Sequence, residues 1–352
     1  MFRFFLAFLV SVNICLAQGV GIPSKKGGIG FGNLPVFSGL RFNFRDKDVE
    51  KVTGVNVTIW KTQGELDNTG TVNGVSLGVP LAFGTAVKNG INVGVLGTGA
   101  SESLNGVNIG GLGTGAGGSV RGINFGGLGV GAGDELAGVN IGGLGVGAAR
   151  NVTGLSASLL GVGSGGDLRG ITVGGAGVGA GENLTGITVG GIGVGAGEDV
   201  NGFAFGGVGV GAGRSMKGIA IAGIGVGAGD ELKGLSAAIV GVGAPMIKGI
   251  AVAGAVGAKN TKALIIAPAY FQAGEKDVND EEDNGQMNGV AISAFNHVRG
   301  TQKGISIGVF NYAAKQKGFQ LGLLNYVKDN PRGLRLLPVF NLHFKGKDSS
   351  AN

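Results

Sequence analysis

The chain has 352 residues, of which 79 are glycine and only seven proline, with 14% charged residues and a formal net charge of +6. Glycine at this level is foreign to ordinary globular enzymes, and its alternation with Val, Ile, Leu and Ala at a period other than three excludes collagen. The positive charge is dispersed, and no basic run interleaved with aromatics suggests a nucleic-acid face.

At the N-terminus Arg3 supplies a short positive region, Phe4 to Val12 an apolar region, and Cys15-Leu16-Ala17 a small-x-small cleavage site before Gln18. This pattern predicts a Sec signal peptide over residues 1–17 and export of a mature chain starting near Gln18. Cys15 would leave with the leader, so no disulfide or cysteine metal ligand is expected in the mature protein. The leader's apolar stretch is too short to span a bilayer. Glycine interrupts every later run before the roughly 20 apolar residues of a membrane helix accumulate.

Glycine-led units of alternating apolar residues follow, at Gly39 (GLRFNF), Gly54 (GVNVTIW), Gly74 (GVSLGVPLAFG) and Gly90 (GINVGVLGTG). From Gly106 to Pro245 the unit recurs nine times at a spacing of 16 residues without insertion or deletion. None of the nine 12-residue windows contains a charge; charges fall in four-residue joints such as Asp134-Glu135, Arg150 and Glu198-Asp199. Looser units return at Gly249, Gly289, Gly304, Gly318 and Gly333. The polar, acidic stretch 275–288 predicts an exposed loop, and 345–352 a polar tail. Residues 18–344 therefore read as a single β-repeat domain of about 18 to 20 strand units.

Alternation argues strand, and glycine at nearly every second position, costing about 1 kcal/mol each relative to Ala, argues against helix. In the unit at Gly138, Val139 and Ile141 share one parity, while Leu144, Val146 and Ala148 share the other. A bulge or corner at Gly142-Gly143 would place all five on one face, leaving Asn140 and glycines on the other. Two all-β architectures fit. The favoured one is a closed antiparallel outer-membrane β-barrel, in which each unit is one tilted strand. Twelve residues at about 3.3 Å and about 40° of tilt span roughly 30 Å, and charges gather at the rims. Closure would then pair Gly39–Phe44 with Leu336–Phe344. The alternative is a β-solenoid with one unit per coil, the glycine pair at a corner, and Leu136, Val139, Ile141, Leu144, Val146 and Ala148 pointing inward. It is supported by the fixed period and by an apolar residue in every joint (Val120, Leu136, Val152, Leu168 and their successors).

Familiar site signatures dissolve on inspection. The G-x-G-x-x-G spacings follow from glycine abundance and open no helix, so no nucleotide is expected. Gly110-Gly111-Leu112-Gly113-Thr114-Gly115 is close to a calcium-binding nonapeptide, but Thr114, or Val130 one repeat on, stands where the ligand Asp belongs. Asp277, Asp280, Glu281, Glu282 and Asp283 read as a solvated like-charged loop, and His297 and His343 as isolated surface histidines. The glycosylation-like triplets at Asn56, Asn151 and Asn183 are explained by frequent Asn and Thr in strands. No catalytic residues, cofactor site or metal site are assigned, and the protein is expected not to be an enzyme.

Aromatics crowd both chain ends, Tyr312 and Tyr326 among them at strand ends beside charged joints. The C-terminal strings GISIGVFNYAAKQK, GFQLGLLNYVKDNP and LPVFNLHF resemble a family of exported bacterial surface-repeat proteins with tandem G-[VIF]-x-[IL]-G units and an aromatic-rich final strand. The resemblance implies a surface or outer-membrane location and no established activity, and it carries over no functional residues. The expectation is a non-enzymatic protein of a Gram-negative envelope with a structural, surface-presenting or pore-like role and outer-membrane lipid as partner. The alternative is a secreted or surface-attached solenoid acting as an adhesion or binding module.

Overall fold

The computed structural model describes residues 19–46, 48–60, 69–275 and 284–343. The expected signal peptide, most of the acidic stretch and the polar tail lie outside them. The chain divides into two compact units, Met1–Gly179 and Ala180–Asn352.

In unit 1 each 16-residue repeat forms a strand of seven or eight residues and a four-residue strand separated by tight corners. Ser119–Gly126 lies parallel between Ser103–Gly110 and Glu135–Gly142, so that Asn124 is opposite Asn108 and Asn140. The short strand Gly129–Ala132 lies in the same way between Gly113–Ala116 and Gly145–Ala148. Every partner is the equivalent residue one repeat earlier or later. Unit 2 repeats the scheme: Ser215–Ala222 is parallel to Val200–Gly206 and Glu231–Ala238, and Gly209–Ala212 to Gly193–Ala196 and Gly225–Ala228.

These are coils of a β-solenoid, and the expected antiparallel barrel of about 18 to 20 strands is not formed. The joints do not reverse the chain as hairpins would; they turn a corner and carry it round to the next coil. The expected closure fails for the same reason. Val36–Asn43 already has both edges occupied, by Gly27–Phe31 and Lys51–Thr58, and Leu336–Leu342 pairs with Phe319–Val327.

The ends depart from the parallel scheme. Unit 1 opens on the antiparallel pair Val20–Ser24 and Gly27–Phe31, and unit 2 closes on the antiparallel strand Leu336–Leu342. A reversed strand at the end of a stack covers the open edge that would otherwise template further pairing. Toward its end unit 2 also lengthens its strands, to 19 residues in Ala255–Ala273 and 17 in Gln286–Gln302. The second of these begins inside the stretch expected as loop, so Gln286 to Asn288 belong to the sheet.

The joint residues Val120, Leu136, Val152 and Leu168 in unit 1, and Leu184, Val200, Met216 and Leu232 in unit 2, are buried as the solenoid reading requires. The five-residue apolar face is not. Val146 is 4% exposed but Leu144 is 47% exposed, and Ile141 also points to solvent, while Asn140 is fully buried. Glycine geometry gives the reason. A Cβ on Gly142 would lie 2.1 Å from the carbonyl oxygen of Gly145, because the chain doubles back tightly at this corner. The coil is too thin to take five aliphatic side chains per turn. Leu136 and Val146 fill it, small or polar residues occupy the remaining inward positions, and the other aliphatics are turned outward. Gly138 adopts φ +110° where a Cβ would meet the Gly122 oxygen at 2.0 Å, so this bend of the long strand also requires glycine.

Candidate binding face

The inward alternate positions of the long strands build a polar rung system in unit 1. Asn92 donates to Asn108 at 2.8 Å, Asn108 to Asn124 at 2.7 Å, Asn124 to Asn140 at 2.7 Å, and Asn140 to Ser156 at 3.2 Å. Asn108, Asn124 and Asn140 each both donate and accept one coil apart, which satisfies groups that burial would otherwise penalise. The alternation pattern alone puts Asn140 outside; the signal that identifies the ladder is Asn recurring at one repeat position in Asn92, Asn108, Asn124 and Asn140.

The same column ends in charge. Arg41 is buried and donates to Asp46 at 2.6 Å and to Asn56 at 2.9 Å. Asp46 also accepts from Asn43 at 2.7 Å and Thr58 at 2.7 Å. Lys88, in the neighbouring inward column, is buried and donates to the Ala82 carbonyl. Burial lowers its pKa to about 8, against the opposing pull of the Asp46 carboxylate. These groups hold one another inside the stack, although the Arg41 Nε and the Asn43 Oδ1 are buried without a hydrogen-bond partner.

The outward positions form a different surface. Along the long strands of unit 1, Ile123, Leu155 and Ile171 stand in one exposed column and Phe125, Ile141 and Val173 in the next, with Leu112, Leu128 and Leu144 at the adjoining corner. Unit 2 presents Ile187, Ile219 and Ile250, then Phe205, with Ile192, Val208 and Ile224 at the corner, and Ile239 is 77% exposed. The charge-free bands expected against lipid are thus outward-facing columns of solenoid coils. In the last coils of unit 2 the wall deepens into a groove of about 770 Å³ lined by Ile266, Pro268, Ile292, Val309, Leu323 and Val339.

The charged joints occupy another corner of each coil and pair along the stack. In unit 1 Arg150 pairs with Asp134 and Arg121 with Glu135, and in unit 2 Arg214 meets Glu198 at 2.9 Å and Asp199 at 3.1 Å. In place of the expected barrel rims there is a ladder of surface ion pairs.

The residues that the sequence singles out as site candidates scatter. Thr114 and Val130 point into the coil interior, Thr114 donating to the Phe125 carbonyl at 2.5 Å. Asn56 is buried in the Arg41 network, and the Asn151 and Asn183 side chains accept from backbone N–H groups at Asp167 and Asp199. His297 is held by the Tyr270 hydroxyl at 3.0 Å and stacks on Phe295 with centroids 5.6 Å apart. Tyr312 and Tyr326 stack on one another at 5.5 Å. The residues 277 to 283 of the acidic stretch lie outside the described residues. Among those described, no group of three or more His, Cys, Asp or Glu is placed to hold a metal ion. No family model, curated protein or solved structure matches this chain.

Proposed function

We propose that the protein is a non-catalytic, exported β-solenoid attached to the cell surface, where it acts as an adhesion or binding module that docks through its aliphatic outer wall. The observation that carries this reading is the wall itself. Soluble monomers rarely leave contiguous apolar patches beyond a few hundred Å² uncovered, yet here exposed aliphatic columns recur coil after coil in both units. The coils could bury their bulky residues only in part, and the sequence keeps Ile, Leu, Val and Phe outside rather than replacing them with polar groups. The leader-like N-terminus and the resemblance of the C-terminal units to exported surface-repeat proteins support a location outside the cytoplasm. Parallel coils lend no support to the pore-like role.

Phase separation in a cold nonionic detergent tests the reading. The full chain collects in the detergent-rich phase, and the combined exposed substitutions Ile219→Ser, Ile224→Ser and Ile250→Ser move it into the aqueous phase with an unchanged circular dichroism spectrum. Native protein that stays wholly aqueous would end the proposal.

A further inference from the structure

The outer wall of unit 2 carries a second feature beside its aliphatic columns. Lys217, Lys233, Lys248 and Lys262 stand in direct register on four successive strands. On each strand the next two residues of the same face are apolar: Ile219 and Ile221, Leu235 and Ala237, Ile250 and Val252, Leu264 and Ile266. Adjacent strands lie about 4.8 Å apart, so four ammonium groups line up along one edge of an apolar wall over roughly 15 Å. Like charges directly opposite one another across a strand pair are destabilising, and a row of them is kept only at a cost to the fold.

The fold supplies little to offset that cost. Among the described ion pairs only Lys248 of the four meets a carboxylate, Glu231 at 2.9 Å. The neighbouring acids Glu198 and Asp199 are held by Arg214. Those two acids of a second copy are already engaged and offer the lysines no match. The apolar wall also continues past Lys262, because Ile266 belongs both to its second aliphatic column and to the lining of the 770 Å³ groove.

We propose that this wall of unit 2 seats on an anionic lipid surface. The aliphatic columns and the groove take up acyl chains at the headgroup boundary, and the lysine row lies at the rim against lipid phosphates. An apolar face bordered by lysines is the arrangement by which interfacial elements bind anionic leaflets. The inference rests on the reading of the aliphatic wall as the docking face, and adds the partner and its charge.

The test is co-flotation of the full chain with phosphatidylcholine vesicles and with vesicles containing phosphatidylglycerol. The native protein should bind the anionic vesicles on the order of 100-fold more tightly or better at low salt, with the preference shrinking as salt is raised. Lys217→Gln, Lys233→Gln and Lys262→Gln together should lose on the order of 100-fold on anionic vesicles, about fivefold per lysine, and nothing on neutral ones. The exposed pair Ile219→Ser and Ile250→Ser should lose binding to both. Equal binding to neutral and anionic vesicles would overturn the inference and leave the aliphatic docking face standing. Absence of vesicle binding, with a dimer by light scattering that the isoleucine variant dissolves, would assign the wall to a second copy. A monomer that binds no vesicle and stays out of detergent would overturn both readings.

Discussion

In unit 1 one inward column of the long strands reads Asn56, Ser76, Asn92, Asn108, Asn124 and Asn140, while in unit 2 the corresponding column reads Thr188, Ala204, Ala220, Ser236, Ala251 and Ile265. Both columns are buried and, apart from the coil of Ile265, where Ala263 stands instead, both sit on coils bent at the same glycine, φ +110° at Gly138 and +122° at Gly218. The difference shows that coil shape and coil filling are set by separate residues. Glycines with no room for a Cβ dictate the path of the chain, and on the coils they bend the inward rung is a small amide, hydroxyl or methyl, whereas Ile265 fills it where Ala263 takes the glycine's place. An amide rung is satisfied by its equals on the coils above and below, as Asn108 and Asn124 are, and an unbroken period supplies them.

The largest test of this contrast lies where the unit 1 column ends in charge. Asp46→Asn leaves the Arg41 guanidinium, which is fully buried, without its carboxylate. Breaking a buried pair in this way costs about 3–5 kcal/mol. In unit 2, Glu231→Gln removes the partner of Lys248 at 2.9 Å in a partly exposed pair and should cost about 1 kcal/mol or less. Urea unfolding of both variants checks this, and comparable losses would mean that the charged network does not hold the first coils.

Lys88 gives the next effect, and it depends on pH. Its pKa falls from 10.5 to about 8 chiefly through burial, with Asp46 opposing. Between about pH 8 and 10.5 the unfolded chain keeps a proton that the folded chain has lost, so stability rises with pH across that window. Below about pH 8 both states are protonated and the burial penalty is present in full. The gain amounts to about 3 kcal/mol by the usual conversion of pKa shifts to free energy. Unfolding free energies of the native chain minus those of Lys88→Met cancel the other titrations, and a difference that stays flat from pH 7 to 10.5 would show that Lys88 remains charged in the fold.

Much of the coil was legible in the sequence. The period, the corner at Gly142-Gly143 and the burial of Leu136 and its equivalents follow from pattern alone. Parallel pairing did not, because short joints and charge-free bands fit hairpin rims as well as solenoid corners, and a period does not say whether strand n meets n+1 or its own equivalent one repeat away. The faces were misread for a different reason. Grouping Val139, Ile141 and Leu144 inside assumes that bulk goes to the core, whereas the close approach of Gly142 to Gly145 leaves no volume for it. That approach is local, across one corner three residues long, but alternation does not report how tight the corner is. The lysine row of unit 2 was visible as letters, but its meaning depends on register, which places Lys233, Lys248 and Lys262 side by side despite spacings of 15 and 14 residues.

Of the effects expected inside the coils, the smallest is the sharpest probe of the two interiors, since it moves one residue type in opposite directions. Asn124→Ala in unit 1 strips the acceptor from Asn108 and the donor from Asn140, two bonds of 2.7 Å, and leaves both amides buried with a missing rung. Ala220→Asn in unit 2 places an amide between Ala204 and Ser236, where at most one hydroxyl can answer its donors and acceptors. Leaving buried polar groups unpaired costs about 1–3 kcal/mol, so each change should destabilise by about that much. Removing Asn harms one column and adding it harms the other, because what stabilises the ladder is the neighbouring amide one coil away and not the residue itself. Chemical denaturation of the two variants decides the matter. A neutral Asn124→Ala would mean that the ladder adds nothing beyond what methyl groups supply in unit 2, and a neutral Ala220→Asn would mean that the unit 2 interior is wet enough to serve an isolated amide.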